Sequence, residues 1–307
     1  MNIVFFGSSK FCLSSLEALI DSKHSLLLVV THPDRKKGRH LLFSSSSVKS
    51  FVEEKEIGVF QPEIFDEYTI KYLEGKSPDL FIVSAFGKIL SKRILDIPKR
   101  FSINIHPSLL PKYRGSAPIN WAIINGERRT GVTIFEMNER MDAGDIILQE
   151  GIDIEPSDTT ITLEDRLSKL AAELLIRTLD LIENNNFSLA FQDENQVSFA
   201  PKLKKADGLL NWGQSAEDIH NRVRGLILWP GAFTYWRRRP LKIWASSIEP
   251  DEFDEPGKII KILKEKIIVS CRKGSLGIKE LQLESGKRLT AKQFLAGHKM
   301  IIGEKLG

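Results

Sequence analysis

The sequence predicts an α/β protein of two domains, with a mostly parallel sheet in the N-terminal domain and a smaller C-terminal β-barrel. Apolar runs alternate with amphipathic stretches through the first half of the chain, as they do in βαβ units. The last third instead carries short alternating segments separated by glycine and charged turns. With 307 residues, of which 42% are hydrophobic, the chain is long enough to bury two cores.

The first half has the order expected of an open, mostly parallel sheet. Its predicted elements are strand NIVFFG, helix FCLSSLEALIDS, strand SLLLVVTH, helix SVKSFVEEKEIG, strands DLFIVSAFG and SINIHPS, helix APINWAIIN and strand GVTIFEMN. Apolar residues at helical spacing then predict a long amphipathic helix from Thr160 to Asn185, which Asn184 to Asn186 would end.

A polar stretch over residues 187–204 has no clear period and contains Pro201, so it is the predicted linker. We therefore expect an N-terminal domain over 1–186 and a C-terminal domain over 205–307. The C-terminal domain would contain the helical SAEDIHNRVRGL and the short strands of GAFTYWRRRPLKIWASSI, GKIIKIL, KIIVSCRKG and SLGIKELQLE. Short strands at this spacing predict a small barrel of the OB type, an architecture that often binds nucleic acids.

Composition argues against membrane, secreted and zinc-binding proteins. The longest aliphatic runs, such as Leu26 to Val30, are too short to span a bilayer, and the N-terminus lacks the features of a signal peptide. Cys12 and Cys271 are the two cysteines, and they lack the C-x-x-C spacing of a metal or redox motif. We expect a cytoplasmic monomer with two reduced, buried thiols.

The positive charge lies in the C-terminal third of the chain. Residues 202–307 carry 21 Lys and Arg against 12 Asp and Glu, a balance of +9, whereas residues 1–201 have a balance of −5. A basic domain joined to a mildly acidic one is typical of a protein that binds a polyanion such as nucleic acid. A solvated, lysine-rich surface is the alternative.

Two polar side chains come at the end of a buried strand in FSINIHPSLLPKYRGSAPINWA. Asn104 and His106 are two residues apart, so both point to the same side of the sheet, at the strand end where such sheets bind ligands. Asp142 follows 36 residues later, in a loop that a second strand can bring beside His106. A carboxylate orients a histidine and favours its protonated form, while an amide can hold a developing oxyanion. This trio suits acyl transfer to an amine and needs no metal.

Each of these residues alone has a structural alternative. Asn104 could form a turn, His106 could be a buried histidine with its hydrogen bonds satisfied, and Asp142 could cap a helix or a turn. No third His or Cys lies at ligand spacing, so we expect no metal site.

An extended motif goes beyond the trio. INIHPSLLPKYRGSAPINWAIINGE, followed by TGVTIFEMNERMDAGDII, resembles the formyltransferase family that uses 10-formyltetrahydrofolate. The likeness continues through THPDRKKGR, VFQPE, LNWGQSAEDIHNRVRGLILWPGAF and GIKELQLESGKRLTAKQFLAGH, and so covers nearly the whole chain. The resemblance implies a Rossmann-like catalytic domain and transfer of a formyl group to the α-amine of initiator methionyl-tRNA.

The resemblance also implies residue roles. The family's catalytic trio matches Asn104, His106 and Asp142. Its folate-binding segments match Ser108, Leu109, Leu110 and Pro111, together with Phe86, Gly87, Lys88, Ile89 and Leu90. The predicted tRNA contacts, taken from the front loop and the basic C-terminal third, are Lys36, Lys37, Arg39, Lys202, Lys204, Lys205, Arg237, Arg238 and Arg239.

One loop departs from the family pattern, because HLLFSSSSVK follows Arg39 where the family often carries more lysine and a proline. Recognition of the tRNA acceptor end would then depend less on lysines in that loop, or more on Lys36 and Lys37.

Three alternative functions are consistent with parts of the sequence. Formyltransferases that act on amino-sugar nucleotides or glycinamide ribonucleotide share an Asn, His and Asp trio but generally lack the basic C-terminal domain. A non-catalytic RNA-binding protein would have no chemical reason to keep the ordered trio. A nicotinamide dehydrogenase is disfavoured because Gly7 is followed by Ser8 and Ser9 instead of completing G-x-G-x-x-G.

Overall fold

The computed structural model describes residues 1–37, 42–44, 46–250 and 254–307, and it divides the chain into two compact units. The first unit comprises Met1–Pro118, Arg129–Asp153 and Glu164–Ala200. The second comprises Ile119–Arg128, Ile154–Leu163 and Pro201–Gly307. Two short stretches, 119–128 and 154–163, therefore belong to the second unit, although the sequence on either side of each belongs at least in part to the first.

The described part of the first unit is built on a seven-stranded sheet with the order β5-β2-β1-β6-β7-β8-β9. β1, β2, β5, β6 and β7 run parallel, while β8 and β9 are antiparallel to their neighbours. A separate antiparallel pair is formed by β3 and β4. The strands are β1 Asn2–Gly7, β2 Ser25–Val30, β3 Arg35–Lys37, β4 Leu42–Ser44, β5 Val59–Phe60, β6 Leu80–Ser84, β7 Phe101–His106, β8 Arg129–Glu136 and β9 Ile146–Asp153.

The central parallel strands have continuous apolar sequences, as expected of strands that are covered on both faces. Every residue of β6, with the sequence LFIVS, is buried, and β1 is buried from Ile3 onward. The helices of this part of the chain are α1 Leu13–Ile20, α2 Ser47–Glu53, α3 Glu67–Glu74, α4 Lys92–Leu95, α5 Pro118–Ile124 and α6 Thr160–Glu183. Nearly all of α5 and the first four residues of α6 belong to the second unit. After α6, Asn185 takes a positive φ of 51°, a conformation in which asparagine commonly ends a helix.

The second unit contains an antiparallel sheet with the order β10-β11-β14-β13-β12, and β15 pairs with β14. A single apolar cluster fills its interior, including Trp212, Ile243, Val269 and Phe294. The elements are α7 Ala216–Gly225, β10 Phe233–Trp236, β11 Arg239–Glu249, β12 Ile259–Ile262, β13 Ile267–Ser270, β14 Ser275–Leu283, β15 Leu289–Thr290 and α8 Ala291–Gly297. Ser215 and Asp218 form a reciprocal capping box that fixes the start of α7.

The predicted fold class is confirmed, with a mostly parallel α/β sheet in one unit and an antiparallel, barrel-like sheet in the other. Both cysteines are buried and free, and burial raises the pKa of each thiol to about 12. No helix among the described residues combines the length and the apolar character that crossing a membrane requires. β9 was not predicted, because its residues are mostly half-buried and its sequence mixes apolar and polar positions.

Candidate active site

The end of β7 places Asn104 and His106 on one side of the sheet. β7 lies between the parallel β6 and the antiparallel β8, and His106 pairs with Thr133 of β8. The two side chains therefore leave the sheet at the carboxyl ends of the parallel strands, as the sequence predicted. The side chain of Asn104 is half-buried, whereas His106 is only 5% exposed.

A main-chain carbonyl fixes the tautomer of His106. Its Nε2 lies 2.9 Å from the carbonyl oxygen of Tyr113. Because a carbonyl oxygen can only accept, Nε2 carries a proton and donates it. The other ring nitrogen, Nδ1, is left to face Asp142, with 3.7 Å between Nδ1 and Oδ2. This separation is longer than a hydrogen bond, so Nδ1 can still interact with a ligand atom.

Asp142 lies in the loop between β8 and β9 and faces both strand residues. Its Oδ2 accepts a hydrogen bond from the main-chain N–H of Gly115 at 2.8 Å, and its Oδ1 lies 3.4 Å from Nδ2 of Asn104. The structure thus brings together an amide, an imidazole and a carboxylate, as predicted. Asp142 has a positive φ of 49°, a conformation that aspartate tolerates better than most residues.

The loop that carries Asp142 requires a glycine two residues later. A Cβ on Gly144 would lie 1.7 Å from the carbonyl oxygen of Glu136, a distance that no side chain allows. The main chain of the loop can therefore pass directly against the end of β8, which brings Asp142 close to β7.

The segment Ser108–Pro111 follows β7 directly and is held by buried hydrogen bonds. The hydroxyl of Thr133 donates to the carbonyl oxygen of Ser108 at 2.7 Å and accepts from the N–H of Leu110 at 3.1 Å. Ser108 is fully buried, and its own hydroxyl donates to the carbonyl oxygen of Lys112 at 2.7 Å. The peptide bond between Leu110 and Pro111 is cis. These three hydrogen bonds hold this segment in one shape beside the trio.

The second predicted folate-binding segment follows β6, which neighbours β7 in the sheet. The side chains of Phe86 and Leu90 are buried in an apolar cluster. Lys88 donates through Nζ to the carbonyl oxygen of Glu63 at 2.9 Å, and Gly87 has a φ of 72°. Ile89 is 89% exposed, an unusual position for isoleucine. Its side chain is the apolar surface that this segment offers.

Comparisons with known proteins identify the family of the chain. The formyl transferase family matches residues 1–179, and the formyl transferase C-terminal domain matches residues 202–299. The methionyl-tRNA formyltransferase of Acetivibrio thermocellus is 42% identical over 310 residues, covering 100% of both chains. That of Syntrophus aciditrophicus is 43% identical over 309 residues, covering 100% of this chain and 99% of its own. The chain belongs to the methionyl-tRNA formyltransferase family.

Solved structures share the fold of this formyltransferase at low sequence identity. An N-formyltransferase from Helicobacter canadensis, in complex with folinic acid and dTDP-3-aminofucose, has a TM-score of 0.68 at 20% identity, covering 94% of this chain and 99% of its own. HypX from Aquifex aeolicus, in complex with tetrahydrofolic acid, has a TM-score of 0.63 at 19% identity, covering 98% of this chain and 50% of its own.

The predicted tRNA contacts differ in how they are placed. Lys202, Lys204, Lys205, Arg238 and Arg239 are exposed in the second unit of the formyltransferase. Arg237 is engaged within the protein, because its guanidinium stacks on the ring of Trp236 and its Nε donates to Glu304 at 3.0 Å. Arg39 lies outside the described residues, and of Lys36 and Lys37 only the main chain is described, in β3.

One group with metal-ligand chemistry occurs among the described residues, away from the trio in sequence. Ligand atoms of His24, Asp180 and Glu183 lie within 4.8 Å of one another. Lys23 donates to both carboxylates, at 2.9 Å and 2.7 Å, so one of their two negative charges is already compensated by a lysine. We therefore interpret it as an ion-pair network.

Sequence reasoning missed the groups that hold the trio in place. The carbonyl of Tyr113 and the N–H of Gly115 are main-chain atoms, which no side-chain motif marks. Gln192 donates from Nε2 to the carbonyl oxygens of Asp142, at 3.0 Å, and Gly144, at 2.7 Å. Gln192 lies in the aperiodic stretch predicted to be a linker, where no motif or period marks a contact.

Proposed function

We propose that the chain transfers the formyl group of 10-formyltetrahydrofolate to the α-amine of methionyl-initiator tRNA. The observation that carries this proposal is the meeting of Asn104, His106 and Asp142 at the end of β7, with Asp142 Oδ2 3.7 Å from Nδ1 of His106. Full-length relatives at about 42% identity are methionyl-tRNA formyltransferases, which supports the same acceptor here.

The proposed reaction begins with the neutral amine. Its lone pair forms a bond to the formyl carbon, and the carbonyl electrons move onto the formyl oxygen. Nδ2 of Asn104 and protonated Nδ1 of His106 donate to this oxyanion, because these are the donors that face the same space. Asp142 accepts the proton that the new amide nitrogen must lose. The oxyanion then re-forms the carbonyl, and the bond between the formyl carbon and N10 of the folate breaks with its electron pair going to N10. N10 takes up the proton that Asp142 accepted, so electrons and protons balance.

The proposed donor site lies beside the trio. The fixed segment Ser108–Pro111 forms one side, and the exposed side chain of Ile89 offers an apolar surface for the folate ring system. Folate derivatives are present in the structures of HypX and of the Helicobacter canadensis enzyme, which share this fold. Phe86 and Leu90 would keep the wall rigid without touching the ligand.

The proposed acceptor contacts lie in the C-terminal part of the chain. Its balance of +9 suits the phosphate backbone of tRNA, and Lys202, Lys204 and Lys205 are exposed there. We assign the catalytic domain to 1–186, the linker to 187–204 and the tRNA-binding domain to 205–307, in a cytoplasmic monomer. These boundaries stay a prediction, which a fragment ending near Asn186 tests: it should bind a folate analogue and lose most of its tRNA affinity.

The direct test is an assay of formyl transfer from 10-formyltetrahydrofolate to charged initiator tRNA. Free methionine, an amino-sugar nucleotide and glycinamide ribonucleotide serve as competing acceptors. We expect transfer to the charged tRNA alone. Faster transfer to one of the small acceptors would replace this function with that of another formyltransferase, and no transfer to any acceptor would refute it.

Substitutions test the trio separately. His106→Ala, Asp142→Ala and Asn104→Ala should each lower kcat on the order of 10²-fold or more, the usual contribution of a positioned acid, base or oxyanion donor. Circular dichroism should show that each variant remains folded. Near-normal turnover in a folded variant would remove that residue from the mechanism.

A further inference from the structure

Gln192 bridges the loop that carries Asp142 to a buried arginine. Its Nε2 donates to the carbonyl oxygens of Asp142 and Gly144. Its Oε1 accepts from the guanidinium of Arg114 twice, from Nε at 3.0 Å and from NH2 at 2.9 Å. Both ends of the amide are therefore used, and the orientation of the amide is fixed by its neighbours.

Arg114 is a strong anchor for this bridge, because it is only 3% exposed. A buried guanidinium needs partners, since leaving its N–H groups without acceptors is costly. Glu194 supplies the compensating charge, with its Oε1 and Oε2 each 3.3 Å from a nitrogen of Arg114. Hydrogen bonds from Arg114 are the main reason that the pKa of Glu194 is lowered. Glu194 also accepts from Arg140 of the Asp142 loop at 3.0 Å, so it joins the buried arginine to the same loop.

The main chain on either side of Arg114 contacts the other catalytic groups. The carbonyl of Tyr113 accepts from Nε2 of His106, and the N–H of Gly115 donates to Oδ2 of Asp142. A displacement of Arg114 would therefore shift the partners of both His106 and Asp142. The three consecutive residues act on the two catalytic side chains at once.

We propose that Arg114 and Gln192 are positioning residues, which set the distance between the carboxylate of Asp142 and the imidazole of His106. This inference rests on the proposed function, because it assigns a consequence for formyl transfer. Neither residue touches the reacting atoms. Their effect passes through the loop main chain, where the two donated hydrogen bonds hold Asp142 in its positive-φ conformation.

The alternative is a purely structural role, in which Gln192 only supplies a hydrogen-bond acceptor to Arg114. Gln192→Glu separates the two roles. A glutamate keeps an oxygen for Arg114, now with a charge that strengthens the hydrogen bond. It loses the N–H groups that bind the two loop carbonyls. Gln192→Met removes the donors without adding a charge, so it controls for a new electrostatic effect on the site.

The matched control is Gln196→Glu, which makes the same chemical change four residues later. Gln196 is exposed, and its Nε2 donates to Asp193 at 2.9 Å, with no contact to the loop. We expect Gln192→Glu and Gln192→Met to lower kcat on the order of 10- to 100-fold, the scale of a misplacement of about 1 Å. KM for both substrates should change less than about twofold in each variant. Gln196→Glu should match the wild type.

The pH dependence of kcat and the thermal midpoint complete the experiment. Changing the distance between Asp142 and His106 should shift the pH profile of kcat in both Gln192 variants, whereas a loss of stability alone would leave it unchanged. The thermal midpoint of both Gln192 variants should fall, because the carbonyls of Asp142 and Gly144 lose their donor, so the pH profile and not the midpoint separates the two roles. Arg114→Met should show the same kinetic defect with a lower midpoint, and if it fails to fold, the Gln192 variants still decide the matter.

Two results would overturn the inference. One is a kcat within twofold of wild type in Gln192→Glu, and the other is a loss in Gln192→Glu with a normal rate in Gln192→Met. Both are measured against a wild-type enzyme that formylates charged initiator tRNA. A wild-type protein that fails to do so would refute the proposed function itself, so the two failures can be told apart.

Discussion

The hydroxyl of Thr133 is expected to hold the proposed donor site together. Thr133 is fully buried and pairs with His106 across β7 and β8. Its hydroxyl donates to the carbonyl oxygen of Ser108 at 2.7 Å and accepts from the N–H of Leu110 at 3.1 Å. It also accepts from Nε2 of Gln149 at 2.7 Å. Thr133→Val keeps the shape of the side chain and removes all three hydrogen bonds.

The size of the effect follows from which partners are left unsatisfied. Nε2 of Gln149 keeps the carbonyl oxygen of Leu110 at 3.0 Å, so its loss is partial. The carbonyl of Ser108 and the N–H of Leu110 lose a buried partner outright, at about 1–3 kcal/mol each. We therefore expect Thr133→Val to lower the free energy of unfolding by about 3 kcal/mol. Thr133→Ser keeps the hydroxyl and should cost about 1 kcal/mol for the lost methyl.

Equilibrium unfolding in urea, compared at equal slope, measures this difference between the two variants. Steady-state kinetics should show a raised KM for 10-formyltetrahydrofolate in Thr133→Val, with an unchanged KM for tRNA, because Ser108–Pro111 would lose its fixed shape. If Thr133→Val is as stable as the wild type, or if Thr133→Ser is equally damaging, the hydrogen-bond account of this segment is wrong.

Four further predictions use the same structure. Gly144→Ala should abolish turnover, because its Cβ would lie 1.7 Å from a main-chain oxygen, and a variant with normal kcat would contradict the loop geometry. Lys204→Ala should weaken tRNA binding and reduce its salt slope by about 0.7–0.9, as measured by filter binding at several salt concentrations. Arg237→Ala should instead lower the thermal midpoint, because it loses its hydrogen bond to Glu304; unchanged stability with a reduced salt slope would reverse this assignment. Burial lowers the pKa of His220 from 6.5 to about 4, so protonation favours the unfolded state. The stability that the neutral ring contributes is thus lost as pH falls from 6.5 towards 4, and His220→Gln should flatten the fall in thermal midpoint over that range; equal slopes would count against this origin.

The sequence predicted most of the fold because its strands have simple patterns. Continuous apolar runs such as β6 indicated buried parallel strands, and the two-residue period of an extended chain put Asn104 and His106 on one side. The position of Asp142 also depends on the loop between β8 and β9. The spacing of the motif indicated that this loop could bring Asp142 beside His106, and the structure places it there. β9 lacks both an apolar run and strict alternation, so its sequence carries little strand signal.

The contacts that organise the site were hidden for a physical reason. Tyr113 and Gly115 act through a main-chain carbonyl and a main-chain N–H, so their side chains do not reveal these contacts. Residues 192–200 look like an aperiodic linker, yet the hydroxyl of Ser198 accepts from the N–H of Tyr113 at 3.0 Å and its carbonyl accepts from the N–H of Arg114 at 2.9 Å. Side-chain periodicity does not detect such pairing, because the stretch forms a three-residue 3-10 helix, Glu194–Gln196, and no strand of either main sheet.

This division between side-chain and main-chain contacts limits what alanine scanning can find. Tyr113→Ala would keep the carbonyl that binds His106, so a normal rate in that variant would say nothing about the contact. Gly115 differs, because its φ is 122° and a Cβ there would lie 2.7 Å from the carbonyl oxygen of Ala200. A side chain at Gly115 would push the N–H away from Asp142 while leaving the N–H itself intact. Tyr113 and Gly115 therefore contribute through the position of their main-chain atoms more than through their side chains. Substitutions that displace the backbone test this contribution, whereas substitutions that only shorten a side chain do not.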